Sequence, residues 1–348
     1  MPKNMPADWE PPYPSWSPKL GDNADSLSVC YYGFQSREPG AQDIVHRVEM
    51  FHSQFLLSLG IECAPDHTDF GVFTDQHGFE NRVIVCYWRR PDKHREWERY
   101  SIFHLWLLED ARLGEGCGYW VESHEIRLKN FETLFSSETE AGAVEAWPDL
   151  DFGETVREHA YWGGMRDRIP ASGSDNFEAQ PDNYIRKAPV PGQFVPGRVE
   201  GCLPKNICMI RSGQNWSDCQ SREEIFYLEK VHPVLEEGMA YLAANSLETG
   251  CLSCRLITET SSRGVRLKKS FGHALFSSMI ELETWAKKHP THMAIFQTFH
   301  EMVREFNFEL DLKLWHEVAI LGGKDSKAFY INCHNRTGVL PLLTGQDR

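Results

Sequence analysis

In the stretch "HPTHMAIFQTFHEMVREFNFELDLKLWHEV" (289–318), His292 and His316 occupy positions where the surrounding pattern calls for apolar residues. Pro290 suits the first turn of a helix, since an N–H there would be unpaired anyway. Counting from it, His292, Phe296, Phe299 and Val303 recur at i, i+4, i+7 and i+11, which puts His292 on the core-facing stripe of the helix. Farther on, Leu312, Leu314, His316, Val318 and Ile320 alternate along a strand, so His316 also points into apolar company. Either residue alone fits a core histidine whose nitrogens bond backbone groups. Two on adjacent elements point elsewhere, because a buried neutral imidazole ligates iron well and also serves as an acid or base in a mainly apolar pocket. Spacing alone does not divide the two roles between them.

Two polar clusters lie upstream. In "YWGGMRDRIPAS" (161–172), Arg166 and Arg168 flank Asp167. Such a segment is either a surface loop whose arginines pair with the aspartate or a loop that offers an arginine to a small polar ligand. In "IRSGQNWSD" (210–218), Ser212 ends a strand, where a serine commonly caps or turns the chain, and no GxSxG surrounds it to mark a nucleophile. The remaining histidines carry less: His289 precedes the helix and is expected to be exposed, His300 is one residue off the stripe, and His334 closes a strand. There is no HExxH. Cys251 and Cys254 form a lone CxxC with no second pair for zinc, and Arg255 stands where covalent haem attachment would need histidine, so they read as two strand cysteines.

The elements that must position these residues follow a doubled pattern. Residues 26–34, 82–88 and 118–128 read as strands, with helices over 41–60 and 94–110, while 61–81 resists assignment. Residues 206–212 then read as a strand and 222–246 as a helix, followed by a hairpin over 251–276 turning at Ser-Ser-Arg-Gly and a helix over 278–288. Each half is close to β-α-β-β-α-β, so the fold class is α+β with two ferredoxin-like halves. The expected organisation is an extended arm over 1–25, where six of the nineteen prolines fall in the first twenty residues, then halves at 26–134 and 206–348. The segment 135–205, rich in Gly, Pro, Ser and Asp, is too long for a plain connection and is expected to contribute to the active site.

A chain of 348 residues with 41% apolar content can bury a substantial core. A formal charge of −14 without basic clusters speaks against nucleic acid or an anionic membrane as partner. No apolar run approaches the roughly 20 residues of a membrane span, and the Pro-rich polar opening is unlike a signal peptide, so a cytoplasmic protein is expected. Ten unevenly spaced cysteines fit buried thiols.

The strings "YWGGMRDRIP", "NICMIRSGQNWS", "HPTHMAIF", "LWHEV" and "YINCHNRTGVLP", in that order, closely resemble the aldoxime dehydratases, haem-containing lyases that convert aldoximes to nitriles. "NFETLFS" (130–136) resembles a further segment of that family. The resemblance covers nearly the whole chain. It implies a dimeric α+β barrel built from the two halves, a non-covalent haem b that is ferrous in the active state, an aldoxime as the small-molecule partner, and a homodimer. By matching motif, the proximal haem ligand is His292 and the distal catalytic histidine is His316. Arg168 and Ser212 match the residues that hold the substrate hydroxyl, and Glu132 matches an acidic residue supporting the distal histidine. The implied chemistry is loss of water from R–CH=N–OH. Ferrous iron binds the oxime nitrogen, Ser212 and Arg168 hold the hydroxyl, and His316 protonates the leaving oxygen and then removes the carbon-bound proton. Two other readings remain: a haem peroxidase-like protein of a related barrel, and a haem carrier or sensor, which needs a ligand histidine but none of Arg168, Ser212 and His316.

Overall fold

Residues 4–21, 24–185, 193 and 195–344 are described by the computed structural model; parts of the arm and of the 135–205 segment, at 22–23, 186–192 and 194, lie outside the described residues. The first strand, β1 (Ser26–Ser36), is followed by α1 (Gln42–Ser58), β2 (His67–Thr74) and β3 (Glu80–Trp88). Next come α2 (Pro91–Tyr100), α3 (Ile102–Leu108), β4 (Gly118–Arg127) and β5 (Phe131–Phe135), then α4 (Gly164–Arg168) and β6 (Arg198–Cys202). A second series runs through β7 (Lys205–Asn215), α5 (Ser221–Phe226), α6 (His232–Ala244) and α7 (Ser246–Thr249) to β8 (Cys251–Thr260) and β9 (Arg266–Phe276). The chain closes with α8 (Met279–Lys288), α9 (Pro290–Glu305), β10 (Lys313–Gly322), β11 (Ser326–Ile331) and α10 (Leu340–Thr344).

All these strands pair antiparallel in one sheet ordered β5-β10-β7-β9-β8-β2-β3-β1-β4-β11-β6. Within it, β2-β3-β1-β4 and β8-β9-β7-β10 repeat the same order of corresponding strands, and β2 joins β8 where the two quartets meet. Far apart in the sheet, β10 and β4 nevertheless lie against each other, because the sheet curls around one apolar cluster that includes Tyr31, Trp120, Met209, Phe271 and Trp315. A second cluster, with Ile169, Ala274, Trp285 and Val318, fills the space between the opposite face and the helices. No helix among the described residues is long and apolar enough to cross a membrane.

The structure corrects several expectations. The segment 61–81, left unassigned, contains β2; its polar residues His67 and Asp69 hid the strand pattern. The helix over 94–110 breaks at Ser101, whose extended backbone (φ −68°, ψ 125°) lets its side chain accept from the His104 N–H and cap α3. The helix over 222–246 contains a π-helical stretch, Tyr227–Val231, just before Pro233, which has no N–H to return to the preceding turn. On α9 only Met302 is fully buried, and Phe296, on the supposed core-facing stripe, is 43% exposed. His289 is half-buried and caps α9, its Nδ1 accepting from the Thr291 N–H at 3.3 Å. His334 is buried and pairs with Asp75 at 2.8 Å.

Candidate active site

Strand alternation explains why Ser212 and His316 share a face. In β7 and β10 they are direct register partners, so their Cβ atoms are about 4.5–5.5 Å apart. Their chain neighbours Arg211 and Glu317 are also partners and point to the inner face. There Arg211 donates to the Tyr87 hydroxyl (2.9 Å) and to Asp69 (2.6 Å), while Glu317 accepts from Tyr87 and from the Ala143 N–H (3.0 Å). A one-residue slip would exchange the two sets, stranding charges in apolar surroundings, so the inner network fixes the register that presents Ser212 and His316 together.

From β5, which pairs with β10 on its other side, comes Glu132, and from α4 comes Arg168. The Arg168 Nε donates to Glu132 Oε2 (2.6 Å), and a terminal nitrogen holds the Glu158 carbonyl. The other terminal nitrogen lies 2.9 Å from His316 Nε2, which in turn is 3.0 Å from Glu132 Oε1. One imidazole nitrogen thus faces a carboxylate that attracts its proton and a guanidinium that prefers its lone pair. His316 Nδ1 and the Ser212 hydroxyl make no hydrogen bond to the described residues. The arginines do not pair with Asp167 as the loop reading supposed: Arg166 pairs with Glu283 at 2.7 Å, and Asp167 accepts from the Asn4 backbone at 2.9 Å and from Tyr161. That contact, with Trp9 donating to the His159 carbonyl, lays the N-terminal arm over the loop that carries Arg168. The Gly pair of the loop follows from packing. Gly163 adopts φ +101°, and a Cβ on Gly164 would lie 3.0 Å from the Glu158 carbonyl that Arg168 uses.

Burial pushes the Glu132 carboxyl up, but Arg168 and His316 outweigh it through charge and hydrogen bonds, holding it below its ordinary value of 4.5. The pair therefore stabilises the fold fully above about pH 4.5, and this contribution is lost as pH falls through the lower folded value. Glu132→Gln should flatten the acid side of the melting-temperature profile below that pH; an unchanged acid slope would show that the ion pair contributes no pH-linked stability.

His292 sits in the first turn of α9, half-buried between two indoles. Trp285 of α8 is 4.6 Å away edge-to-face, and Trp162, in the loop before α4, is 6.2 Å away. Trp285 is itself held by donating to the Thr291 hydroxyl at 3.2 Å. Burial lowers the imidazole to about 4 against the opposing pull of the Ala286 carbonyl, so it is neutral at neutral pH. Nδ1 is buried with no partner in hydrogen-bond geometry. Ile295 on α9, Ile210 beside Ser212, Ile169 beside Arg168 and Val318 beside His316 belong to one apolar cluster, so His292 and the polar quartet face the same layer.

A family model described as haem-containing dehydratase matches residues 30–339. The chain belongs to that family. It is 33% identical to phenylacetaldoxime dehydratase of Bacillus sp. (strain OxB-1), over 98% of this chain and 95% of the relative. It is 34% identical to aliphatic aldoxime dehydratase of Pseudomonas chlororaphis, over 97% and 93%. A crystal structure of an aldoxime dehydratase in complex with butyraldoxime superposes with a TM-score of 0.87 at 31% identity, covering 98% of this chain and 92% of that one. The residues here fit a haem. A neutral imidazole whose Nε2 is neither buried nor hydrogen-bonded to the described residues stands beside the rings of Trp162 and Phe296, which are 42% and 43% exposed, next to the apolar cluster that also packs on the sheet face carrying the polar groups. Sequence reasoning named His292, His316, Arg168, Ser212 and Glu132. It missed Trp162 and Trp285, which hold His292, because aromatic residues at helical or loop spacing carry no signal that separates them from core.

Proposed function

We propose that this protein dehydrates aldoximes to nitriles with haem b, ferrous in the active state. What supports the reading is the meeting of Glu132, Arg168 and His316 beside Ser212 on one sheet face, with a neutral His292 next to the apolar cluster that packs on that face. A haem carrier or sensor would have no use for that quartet. When bound, the haem would supply a ferrous iron able to coordinate the oxime nitrogen and weaken the N–O bond, and His292 would hold that iron. The Ser212 hydroxyl and the Arg168 guanidinium fix the oxime oxygen, the leaving group, by hydrogen bonds. Glu132 accepts a hydrogen bond from the protonated His316 Nε2 and keeps the ring oriented, while Nδ1, which makes no hydrogen bond to the described residues, delivers a proton to the departing oxygen and afterwards takes the proton from carbon. The apolar layer around the quartet excludes water and suits an alkyl or arylalkyl side chain.

Anaerobic, dithionite-reduced holoenzyme should form nitrile from a simple aldoxime without any oxidant, and the ferric form should be much slower. Nitrile formation that requires peroxide would instead establish the peroxidase-like reading. In the same assay Ser212→Ala should turn over about ten- to a hundredfold more slowly with haem content unchanged, the loss of one hydrogen bond worth roughly 1.5–3 kcal/mol. A wild-type rate would remove Ser212 from the site. Arg168→Ala is a poorer probe. It leaves Glu132 buried without its countercharge, which costs about 3–5 kcal/mol of stability.

The two quartets read as ferredoxin-like halves that together form an α+β barrel, and the working unit as a cytoplasmic homodimer. Supporting the dimer is an exposed apolar patch where α1 meets α3: Leu57, Tyr100, Ile102 and Leu105 are 69, 67, 58 and 49% exposed, and the Phe103 N–H bonds Ser58 across the junction. Light scattering should give twice the chain mass of 40.1 kDa; a monomer would leave the patch to another partner.

A further inference from the structure

A cavity of about 440 Å³ lies between α6, β8, β2 and the turn at 334–338, and none of the quartet or His292 lines it. That volume is in the range of small-molecule sites. One wall is apolar: Met239, Ala240 and Ala243 of α6 face Leu252 and Leu256 of β8. The opposite end is polar and rigid. Arg255 is locked bidentate to buried Glu122 at 2.7 and 2.6 Å, and Gly338 (φ +51°) passes so close over this pair that a Cβ would fall 2.0 Å from Glu122 and 2.4 Å from Arg255. The acidic groups at the cavity already have partners: Asp75 holds His334 at 2.8 Å, and Glu236 is 3.6 Å from His232. Arg266 and Arg336, by contrast, line the cavity without an ion-pair partner among the described residues, in a chain of net charge −14. His77, also in the lining, has a buried Nε2 with no partner.

We propose that this cavity is a second ligand site for an amphipathic carboxylate, with the carboxylate on Arg266 and Arg336 and the apolar body along α6. Guanidinium forks match planar carboxylates, and the apolar wall formed by α6 and β8 suits an alkyl or arylalkyl chain. Met239 lies between the cavity and the strand that pairs with Ser212. Met239 lines the cavity, and its sulfur reaches to within 3.2 Å of where a Cβ on Gly272 would stand; Gly272 is the direct register partner of Ser212.

Calorimetric titration of the holoenzyme tests this with hexanoate as probe, hexan-1-ol and inorganic phosphate as the tail-only and head-only arms, and the Soret band monitored in parallel. Hexanoate is expected to bind saturably without moving the Soret band, and at least tenfold more tightly than either partial probe. The double variant Arg266→Ala/Arg336→Ala should weaken it tenfold or more, and Ala240→Trp, which fills the apolar wall, should abolish it with haem content retained. No saturable hexanoate binding, binding untouched by these variants, or binding only with a Soret shift would each overturn the proposal. None of these outcomes bears on whether aldoxime is dehydrated, which the nitrile assay decides.

Discussion

Replacing His316 by alanine is expected to lower nitrile formation by about 10²–10⁴-fold, the range set by a positioned general acid, while haem content and the Soret band stay as in the unaltered protein. The expectation rests on placement. His316 projects from the middle of β10 beside Ser212, with Nε2 at 3.0 Å from Glu132 and 2.9 Å from Arg168, so its ring is held by two charged groups, the placement that proton transfer, the role proposed for it, requires. Among the described residues no ring contact joins His316 to the Trp285–His292–Trp162 group, so its removal should leave the proposed cofactor ligand in place. An aldoxime added to the reduced variant should still shift the Soret band, separating substrate binding from chemistry. Full activity in His316→Ala would return the residue to a packing role; loss of haem would show that the two faces of the porphyrin are assigned in reverse.

His292→Ala should purify nearly free of haem. Changing only an outer partner of a metal ligand costs about 10–100-fold in affinity, and loss of the ligand itself should exceed that. The neutral ring, pressed between Trp285 and Trp162, is prepared to bind a metal without first shedding a proton. Added imidazole, small enough for the space left by the side chain, should restore part of the Soret absorbance. Haem retained at the unaltered level in His292→Ala would exclude it as the axial ligand. The fold should survive, because a half-buried residue in the first turn of α9 contributes little to the core.

By itself, the sequence determined most of the order of strands and helices, because hydrophobic period and turn residues are local properties. It also singled out His292 and His316, since a titratable ring inside an apolar period is a local contradiction. Its failures were of one kind. The breaks at Ser101 and before Pro233, and the strand at His67–Thr74, depend on capping, a missing donor and polar residues satisfied from distant strands, none of which periodicity registers. What only the tertiary structure decided is the company each residue keeps. Glu132, Arg168 and His316 are separated by 36, 148 and 184 positions in the pairings that join them, and the chain offers no local reason to prefer Glu132 over Asp167 as the partner of Arg168. The choice was made by sheet order, which puts β5 beside β10, and by the N-terminal arm, which occupies Asp167 through Asn4. Long-range ion pairs form where backbone packing has already brought the charges together and removed the water, so their identity follows from the fold and cannot precede it.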